Sequence, residues 1–143
     1  MSRAGRSIRT TPTARFELVK IERLHGHERV QPPLLERLTE EIKRDGYMKR
    51  PILVADEHLV ILDGHHRYES LRVLGCRRIP AFLVDYYSDI VRVTVWPGAV
   101  VSEVTKDEVI RRGTAGDRFP PKTTRHIMTI PLEDRPTDLE DLM

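Results

Sequence analysis

A short apolar run that passes directly into a helical pattern constrains the fold of this chain most. The segment 60–62, Val-Ile-Leu, is typical of a buried strand, and Asp63-Gly64 follows it as a turn. A helical pattern begins at once, with Tyr68 and Leu71 on one face and Gly75 as a stop. These residues predict a strand-turn-helix unit.

The start of that helix is predicted to bind an anion. The first backbone N–H groups of a helix have no partner within it, and Gly64 would let a phosphate approach them closely. His65, His66 and Arg67 add three potential cations to the same turn, where the helix dipole disfavours positive charge. A bound phosphate is therefore expected to balance them.

Two other interpretations of this turn stay open. An ordinary turn between a strand and a helix, with solvated histidines, would need no ligand. A metal site is less well supported, because adjacent helical residues diverge by about 100° and no cysteine or i,i+4 histidine pair completes a closed site. Such a site could take nitrogen ligands from His25, His27, His65 and His66. The sequence does not predict a definite set of metal ligands.

Strands and helices alternate along the rest of the chain, which predicts a mixed α/β sheet. A first strand at 16–24 precedes a polar turn at 25–28 and a helix that starts at Pro32-Pro33 and stops at Gly46. Pro80 predicts an edge position for its strand. The remaining predicted elements are strands at 51–54, 79–86 and 90–96, a turn at 56–58, and a helix at 106–112 that follows Thr105 and closes at Gly113.

The size and composition of the chain fit one domain with a real core. Its 143 residues are 39% hydrophobic and 32% charged, as in soluble globular proteins. We expect residues 1–15 to form a flexible arm and residues 16–143 to form the folded domain. Cys76 is the single cysteine, which excludes an internal disulfide and makes thiol chemistry improbable.

Charge and hydropathy argue against DNA and membranes as partners. The net charge is +2, and no helix-turn-helix pattern follows the core. No apolar run approaches about 20 residues, and the basic N-terminal start lacks the apolar segment of a secretory signal. We therefore expect a cytoplasmic protein, whose oligomeric state the sequence does not predict.

A proline-containing stretch late in the chain is a second candidate for anion binding. The segment 119–126, Phe-Pro-Pro-Lys-Thr-Thr-Arg-His, has a side-chain donor at every position after the prolines. Because the prolines prevent regular pairing, we expect a loop that wraps an anion, with a proline-stiffened loop of solvated charges as the alternative. The acidic segment 133–143 is expected to be a docked or frayed tail.

Three further residues each have a chemical and an ordinary interpretation. Glu28, in the polar turn after the first strand, could act as a general base toward a bound hydroxyl, or it could be a surface glutamate. Asp63 could hold a metal or an ammonium group, or it could cap the following helix. Trp96 could form the wall of a small-ligand site, or it could pack in the core.

Together, these segments resemble the free-serine kinases of the ParB/sulfiredoxin-like superfamily. The resemblance runs from about Phe16 to the C-terminus and rests on Asp63-Gly64-His65-His66-Arg67 and on the segments 85–86, 91–96, 121–126 and 138–142. It implies a small α/β fold that binds nucleotide phosphates at the strand-turn-helix. It also implies phosphorylation of L-serine to O-phosphoserine, with ADP as the favoured donor, ATP as the other donor, and Mg²⁺.

The resemblance implies a role for each matching residue. Glu28 would activate the serine hydroxyl, and Asp63 would assist. The nucleotide phosphates would be bound by Gly64, His65, His66 and Arg67. Trp96 would border the serine pocket, and the serine carboxylate and transferred phosphate would contact Lys122, Thr123, Thr124, Arg125 and His126.

A ParB-like nucleotide-binding regulator or sensor without catalysis is the alternative within the same superfamily. Sulfiredoxin chemistry is not expected, because that branch needs a cysteine directly after the turn glycine, where this chain has His65. The resembling kinases also carry a longer segment where this chain has residues 97–121. That segment bears on how the site is closed against water.

Overall fold

The structure is a computed structural model that describes residues 14–143, and most of the predicted arm lies outside this range. Strand β1 begins at Arg15, one residue before the predicted start of the domain. The elements are β1 (Arg15–Lys20), α1 (Pro32–Asp45), β2 (Tyr47–Met48), β3 (Ile52–Ala55), β4 (Val60–Asp63), α2 (His65–Val73), β5 (Arg78–Val84), β6 (Val91–Val95), α3 (Lys106–Ala115), β7 (Thr124–Met128) and β8 (Thr137–Asp138), with 3₁₀ turns at Ile21–Arg23 and Leu139–Asp141.

A four-stranded mixed sheet carries the predicted strand-turn-helix at its edge. The strand order is β1-β5-β3-β4, and β3 and β5 are parallel while the other neighbours are antiparallel. The parallel pair arises because α2 carries the chain from β4 back across the sheet to β5. The prediction of a mixed α/β fold is confirmed. Two further antiparallel pairs are β6-β7 and β2-β8.

Both faces of the sheet are covered, which explains why its strands are almost continuously apolar. In β3, Ile52 and Val54 belong to the core that also contains residues of α1 and α2. Leu53 and Ala55 point to the opposite face and belong to the core that contains residues of α3. Leu71 of α2 is fully buried in the first core. This packing fixes the start of α2 at the end of β4.

Some predicted boundaries are wrong because tertiary packing overrides a local pattern. The first strand ends at Lys20, since the chain turns into the 3₁₀ segment Ile21–Arg23. Pro80 lies in β5, an inner strand and not an edge strand. The ladder between β3 and β5 begins only at Ala81, so the position of Pro80 needs no backbone partner on that side.

Gly113 does not end α3, which continues to Ala115. A Cβ at position 113 would lie 2.7 Å from Val60 Cγ1, so this glycine is needed for close contact between α3 and β4. The helix ends instead at Gly116, whose φ of +73° is the left-handed conformation that glycine favours. The side chain of Thr105 accepts a hydrogen bond from the N–H of Glu108, as a helix cap does.

The late part of the chain is more regular than predicted. Thr124 to His126 belong to β7, which pairs with β6, so only the residues around the two prolines form a loop. The acidic tail is docked: Leu142 is fully buried, and its carbonyl accepts hydrogen bonds from the N–H groups of Arg77 and Arg78. Within residues 14–143, no helix is both long and apolar enough to cross a bilayer.

Candidate active site

Nine of the twelve predicted site residues line one cavity of about 300 Å³. They come from the loop after β1, from the β4–α2 turn, from the end of β6 and from the start of β7. The nine are Glu28, Asp63, Gly64, His65, His66, Arg67, Trp96, Lys122 and Thr124, and the apolar part of the lining is Leu34, Leu38 and Leu62. Two larger cavities, of about 440 and 890 Å³, contain none of the predicted residues.

Gly64 is required at the turn by both conformation and space. Its φ is +103°, and an added Cβ would lie 2.5 Å from Ile52 Cγ2 and 2.9 Å from an Arg67 guanidinium nitrogen. Gly64 caps α2 without a side-chain hydrogen bond. The first N–H groups of α2 therefore keep their capacity to bind a ligand.

Asp63 does not cap α2, so the capping interpretation is wrong. Its carboxylate instead lies 3.6 Å from the Arg67 guanidinium, and its side chain is 69% exposed, against 17% for Arg67. Arg67 NH1 also approaches the carbonyl of Arg50 at 3.5 Å. Burial lowers the pKa of Arg67, and the charge of Asp63 opposes that shift. The turn thus presents one half-buried cation beside one exposed carboxylate.

The expectation of three cations at this turn is wrong for the two histidines. His65 Nε2 accepts a hydrogen bond from the backbone N–H of His27 at 3.1 Å, and burial lowers the His65 pKa well below its usual range. His66 Nε2 accepts from the N–H of Gln31 at 2.9 Å, and burial, reinforced by Lys122, lowers its pKa too. A neutral His66 that accepts at Nε2 carries its proton on Nδ1, where it can donate to a ligand.

Glu28 is not a free surface glutamate, because one turn of the chain donates four hydrogen bonds to it. Its Oε1 accepts from the N–H of Thr123 at 3.2 Å and from the N–H and hydroxyl of Thr124 at 2.9 and 3.0 Å. Its Oε2 accepts from the N–H of Lys122 at 3.2 Å. Burial raises the pKa of Glu28, although these four donors favour the charged form. Such a group is poised to accept a proton.

Backbone hydrogen bonds hold this turn beside Glu28. The N–H of Phe119 donates to the carbonyl of His27, and the N–H of Arg29 donates to the carbonyl of Phe119, both at 2.8 Å. Lys122 adopts a left-handed φ of +61°, which lets consecutive N–H groups converge on one carboxylate. The sequence pattern of donors after the prolines found this segment, but it did not reveal that backbone groups do most of the binding.

Three predicted substrate-binding side chains do not reach the cavity. The Thr123 hydroxyl donates to the carbonyl of Pro120 at 2.7 Å. The Arg125 guanidinium lies 4.7 Å from the centre of the Trp96 ring. His126 is half-buried behind the site, where its Nε2 is 2.8 Å from the Tyr86 hydroxyl, and desolvation lowers its pKa to about 3.

Trp96 lies at the mouth of the cavity and not in the core. It is 37% exposed, and the ammonium of Lys122 lies 5.8 Å from its ring centre. Sequence reasoning missed the cavity residues Leu34 and Leu38, because a helical apolar stripe gives no indication that part of it faces a ligand. Across residues 14–143, no group of three or more histidine, cysteine or acidic side chains is placed to hold a metal.

Comparisons with known proteins agree with this geometry, although no protein-family model matches the chain. It is 32% identical over 103 residues to the ATP-dependent L-serine kinase of Staphylothermus marinus, covering 67% of this chain and 40% of that kinase. It is 34% identical over 107 residues to the ADP-dependent L-serine kinase SerK of Thermococcus kodakarensis, covering 71% and 43%. A solved free serine kinase in complex with AMP superposes with a TM-score of 0.81 at 19% identity, covering 90% of this chain and 93% of that one.

The fold is therefore that of the free serine kinases. By sequence, the chain is a homologue of the L-serine kinases that use ATP or ADP. It spans about two fifths of the length of these curated relatives.

Proposed function

We propose that this protein transfers a phosphoryl group from a nucleotide, ADP by preference or ATP, to the hydroxyl of free L-serine. The observation that carries the proposal is that Glu28 and the α2 start line the same cavity. Phosphoryl transfer requires a bound polyphosphate, an acceptor hydroxyl in line with it, and a group that takes the hydroxyl proton. The cavity offers a residue for each requirement.

The nucleotide phosphates would bind at the turn formed by Gly64, His65, His66 and Arg67. The N–H groups of the first helical turn and the Nδ1–H of His66 supply hydrogen-bond donors. Arg67 supplies the positive charge, and binding of an anion would relieve the cost of its burial. His65 Nε2 likewise accepts from the N–H of His27, so the neutral His65 ring also carries its proton on Nδ1.

Serine would lie between Glu28 and Trp96. Glu28 would take the proton of the serine hydroxyl, and Lys122 at the cavity wall would attract the serine carboxylate or the transferred phosphate. The part played by Thr123, Arg125 and His126 would be indirect: Thr123 shapes the turn, Arg125 supports Trp96, and His126 packs beneath the site.

Mg²⁺ fits the site as a companion of the nucleotide. The ion commonly binds through one or two carboxylates together with substrate phosphates, and it neutralises phosphate charge. Asp63, exposed at the cavity, is the residue that would hold it. Glu28 is a poorer ligand, because its two oxygens already accept four hydrogen bonds.

Incubation of the purified protein with Mg²⁺, L-serine and either ADP or ATP tests the proposal. Phosphorus NMR or mass spectrometry should detect O-phosphoserine together with AMP or ADP, and L-alanine, which lacks the hydroxyl, should give no phosphorylated product. Inorganic phosphate would report transfer to water. Nucleotide binding without phosphoserine from either donor would instead support a ParB-like nucleotide-binding regulator.

A further inference from the structure

A continuous chain of short hydrogen-bond contacts leads from Glu28 into the core. Glu28 Oε1 is 3.0 Å from Thr124 Oγ1, which is 2.7 Å from His27 Nε2. On the other side of the ring, His27 Nδ1 is 2.7 Å from the carbonyl oxygen of Ile61. His27 is fully buried, with 0% of its surface exposed.

The partners of His27 and Thr124 limit how many of these contacts can hold a hydrogen at one time. The Ile61 carbonyl can only accept, so His27 Nδ1 must carry a proton. In a neutral His27, Nε2 is then a bare acceptor and requires the single hydroxyl proton of Thr124. That proton cannot also be given to Glu28 Oε1. With Glu28 ionised and His27 neutral, one of the two contacts of Thr124 therefore lacks a hydrogen.

Every contact from Glu28 through Thr124 to His27 can be a hydrogen bond only when these three side chains together hold one more proton. If Glu28 is protonated on Oε1, it donates to Thr124 Oγ1, and Thr124 donates to His27 Nε2. We propose that Thr124 and His27 form a hydrogen-bonded relay that stabilises the protonated form of Glu28 during phosphoryl transfer. His27 is thus a positioning residue that acts through Glu28.

The step is balanced and uses only groups already described. The serine O–H bond breaks and its proton goes to Glu28, the serine oxygen forms a bond to phosphorus, and the bond from phosphorus to the nucleotide oxygen breaks. The Thr124 hydroxyl then rotates its proton from Glu28 to His27. The reaction itself rests on the proposed function, whereas the relay is a property of the protein alone.

The surroundings keep the extra proton on Glu28 and not on His27. Burial lowers the pKa of His27 to about 4, and the charge of Arg118 lowers it as well. The hydrogen bond to Ile61 acts in the opposite direction and raises this pKa. The rings of His65 and His126 lie 4.7 and 5.7 Å from the His27 ring, and both have lowered pKa values. The other charged or titratable groups that line the cavity are Asp63, His66, Arg67 and Lys122.

Two substitutions of His27 separate its two hydrogen bonds. In His27→Asn the amide nitrogen takes the place of Nδ1 and can still donate to Ile61, but nothing accepts from Thr124. In His27→Gln the amide oxygen reaches the place of Nε2 and can accept from Thr124, while the bond to Ile61 is lost. The two variants thus form a matched pair, of which only His27→Asn breaks the relay.

Carbon NMR titration of the Glu28 carboxyl group, assigned by comparison with Glu28→Gln, measures the effect directly. In His27→Asn the Thr124 hydroxyl stays with the Glu28 carboxylate, so the Glu28 pKa should fall by about one pH unit. In His27→Gln it should stay close to the wild-type value. Equal Glu28 pKa values in the wild type and His27→Asn would overturn the relay.

A measurement on the unaltered protein covers the case in which a variant does not fold. In the nitrogen NMR spectrum, the Nε2 resonance of His27 should shift as Glu28 titrates, because Thr124 begins to donate to it. An Nε2 resonance that stays constant through that titration would overturn the relay.

Kinetics then connect the relay to turnover. In His27→Asn, the acidic limb of the pH profile of kcat should shift to lower pH together with the Glu28 pKa. The value of kcat should be about threefold lower, and the KM for serine should be unchanged. A merely structural His27 would lower stability without moving that limb. If the wild type makes no phosphoserine, the proposed function fails, and the two NMR titrations still decide the relay.

Discussion

Two turns of this protein can bind an anion, and they differ in what occupies them. At the start of α2, Gly64 offers no side-chain cap, so the first N–H groups there remain available to a ligand. At Lys122 to Thr124, the converging N–H groups already bind the carboxylate of Glu28. Similar backbone N–H groups are thus available to a ligand in one turn and hold the Glu28 carboxylate in the other.

The comparison shows that donor content alone does not identify a ligand site. The Lys-Thr-Thr-Arg-His segment has more side-chain donors than the α2 turn, yet its backbone N–H groups already bind Glu28 and three of its side chains do not reach the cavity. The α2 turn has one cation, Arg67, and two neutral histidines. The two turns therefore differ in whether their backbone N–H groups are available to a ligand, and not in how much charge they carry.

Substitution of Glu28, whose carboxylate occupies the turn at Lys122 to Thr124, should have the largest effect. In Glu28→Gln the general base is lost, so turnover should fall by about 10²–10⁴-fold, while nucleotide affinity measured by calorimetry stays within about twofold, a change of under 0.5 kcal/mol. Glu40→Gln, on the exposed surface of α1, is the matched control for loss of one carboxylate. Parallel loss of affinity and turnover in Glu28→Gln would make Glu28 a structural residue.

Acid should destabilise the folded protein through three histidines, His27, His65 and His126. His27, His65 and His126 have lowered pKa values in the folded protein, so below about pH 6.5 the unfolded chain binds more protons. Between pH 6.5 and 5, each such histidine should remove about 2 kcal/mol from the free energy of unfolding. The raised pKa of Glu28 acts in the opposite direction: its contribution is fully present below about pH 4.5 and is lost as pH rises through its folded pKa.

Urea denaturation at a series of pH values checks this slope. His126→Gln should flatten it, since it removes one of the three imidazole rings whose pKa is lowered in the folded protein. An unfolding free energy that stays constant from pH 6.5 to 5 would contradict the assignment of neutral buried histidines.

Removing the charge of the available turn should weaken ligand binding. Arg67→Ala should lower nucleotide affinity about tenfold or more, because it removes a partly buried cation beside the phosphates. Arg44→Ala, on the exposed end of α1, is the control for loss of one positive charge. Calorimetry with ADP measures both variants, and unchanged affinity in Arg67→Ala would remove Arg67 from the phosphate site.

A difference in stability between two variants tests why the available turn needs a glycine. Gly64→Ala should destabilise the protein by about 1–3 kcal/mol more than Gly46→Ala. Both positions have positive φ, but only at Gly64 would the added Cβ contact Ile52. Urea denaturation measures the difference, and equal losses would show that backbone conformation alone selects glycine at position 64.

Periodicity and local chemistry were sufficient to predict the central part of the fold. The apolar run ending at Asp63, the glycine and the apolar face of α2 all favour one structure locally, so the strand-turn-helix was correct. Gly113 and Pro80 misled because their environments are set by Val60 and by the neighbouring strands, which lie far away in sequence.

The sequence predicted which residues belong to the candidate site better than it predicted their protonation states. Asp63 to Arg67 and Glu28 do share a cavity. The neutral state of His65 and His66 follows from burial and from the N–H groups of His27 and Gln31, which only the folded chain brings close. The sequence could not predict that His126 does not line the cavity, because a donor-rich segment gives no indication of which side chains an antiparallel pair turns inward.

The Glu28 carboxylate is bound by residues 94 to 96 positions later in the chain. During synthesis, the N-terminal third therefore leaves the ribosome with a glutamate that has nothing to orient it. The hydrogen bonds that orient this glutamate can form only after the segment around Thr124 has emerged and docked. A nascent or proteolytically shortened chain without this segment would thus lack the N–H groups of Lys122, Thr123 and Thr124 that hold Glu28, even where its first strands and helices had already formed.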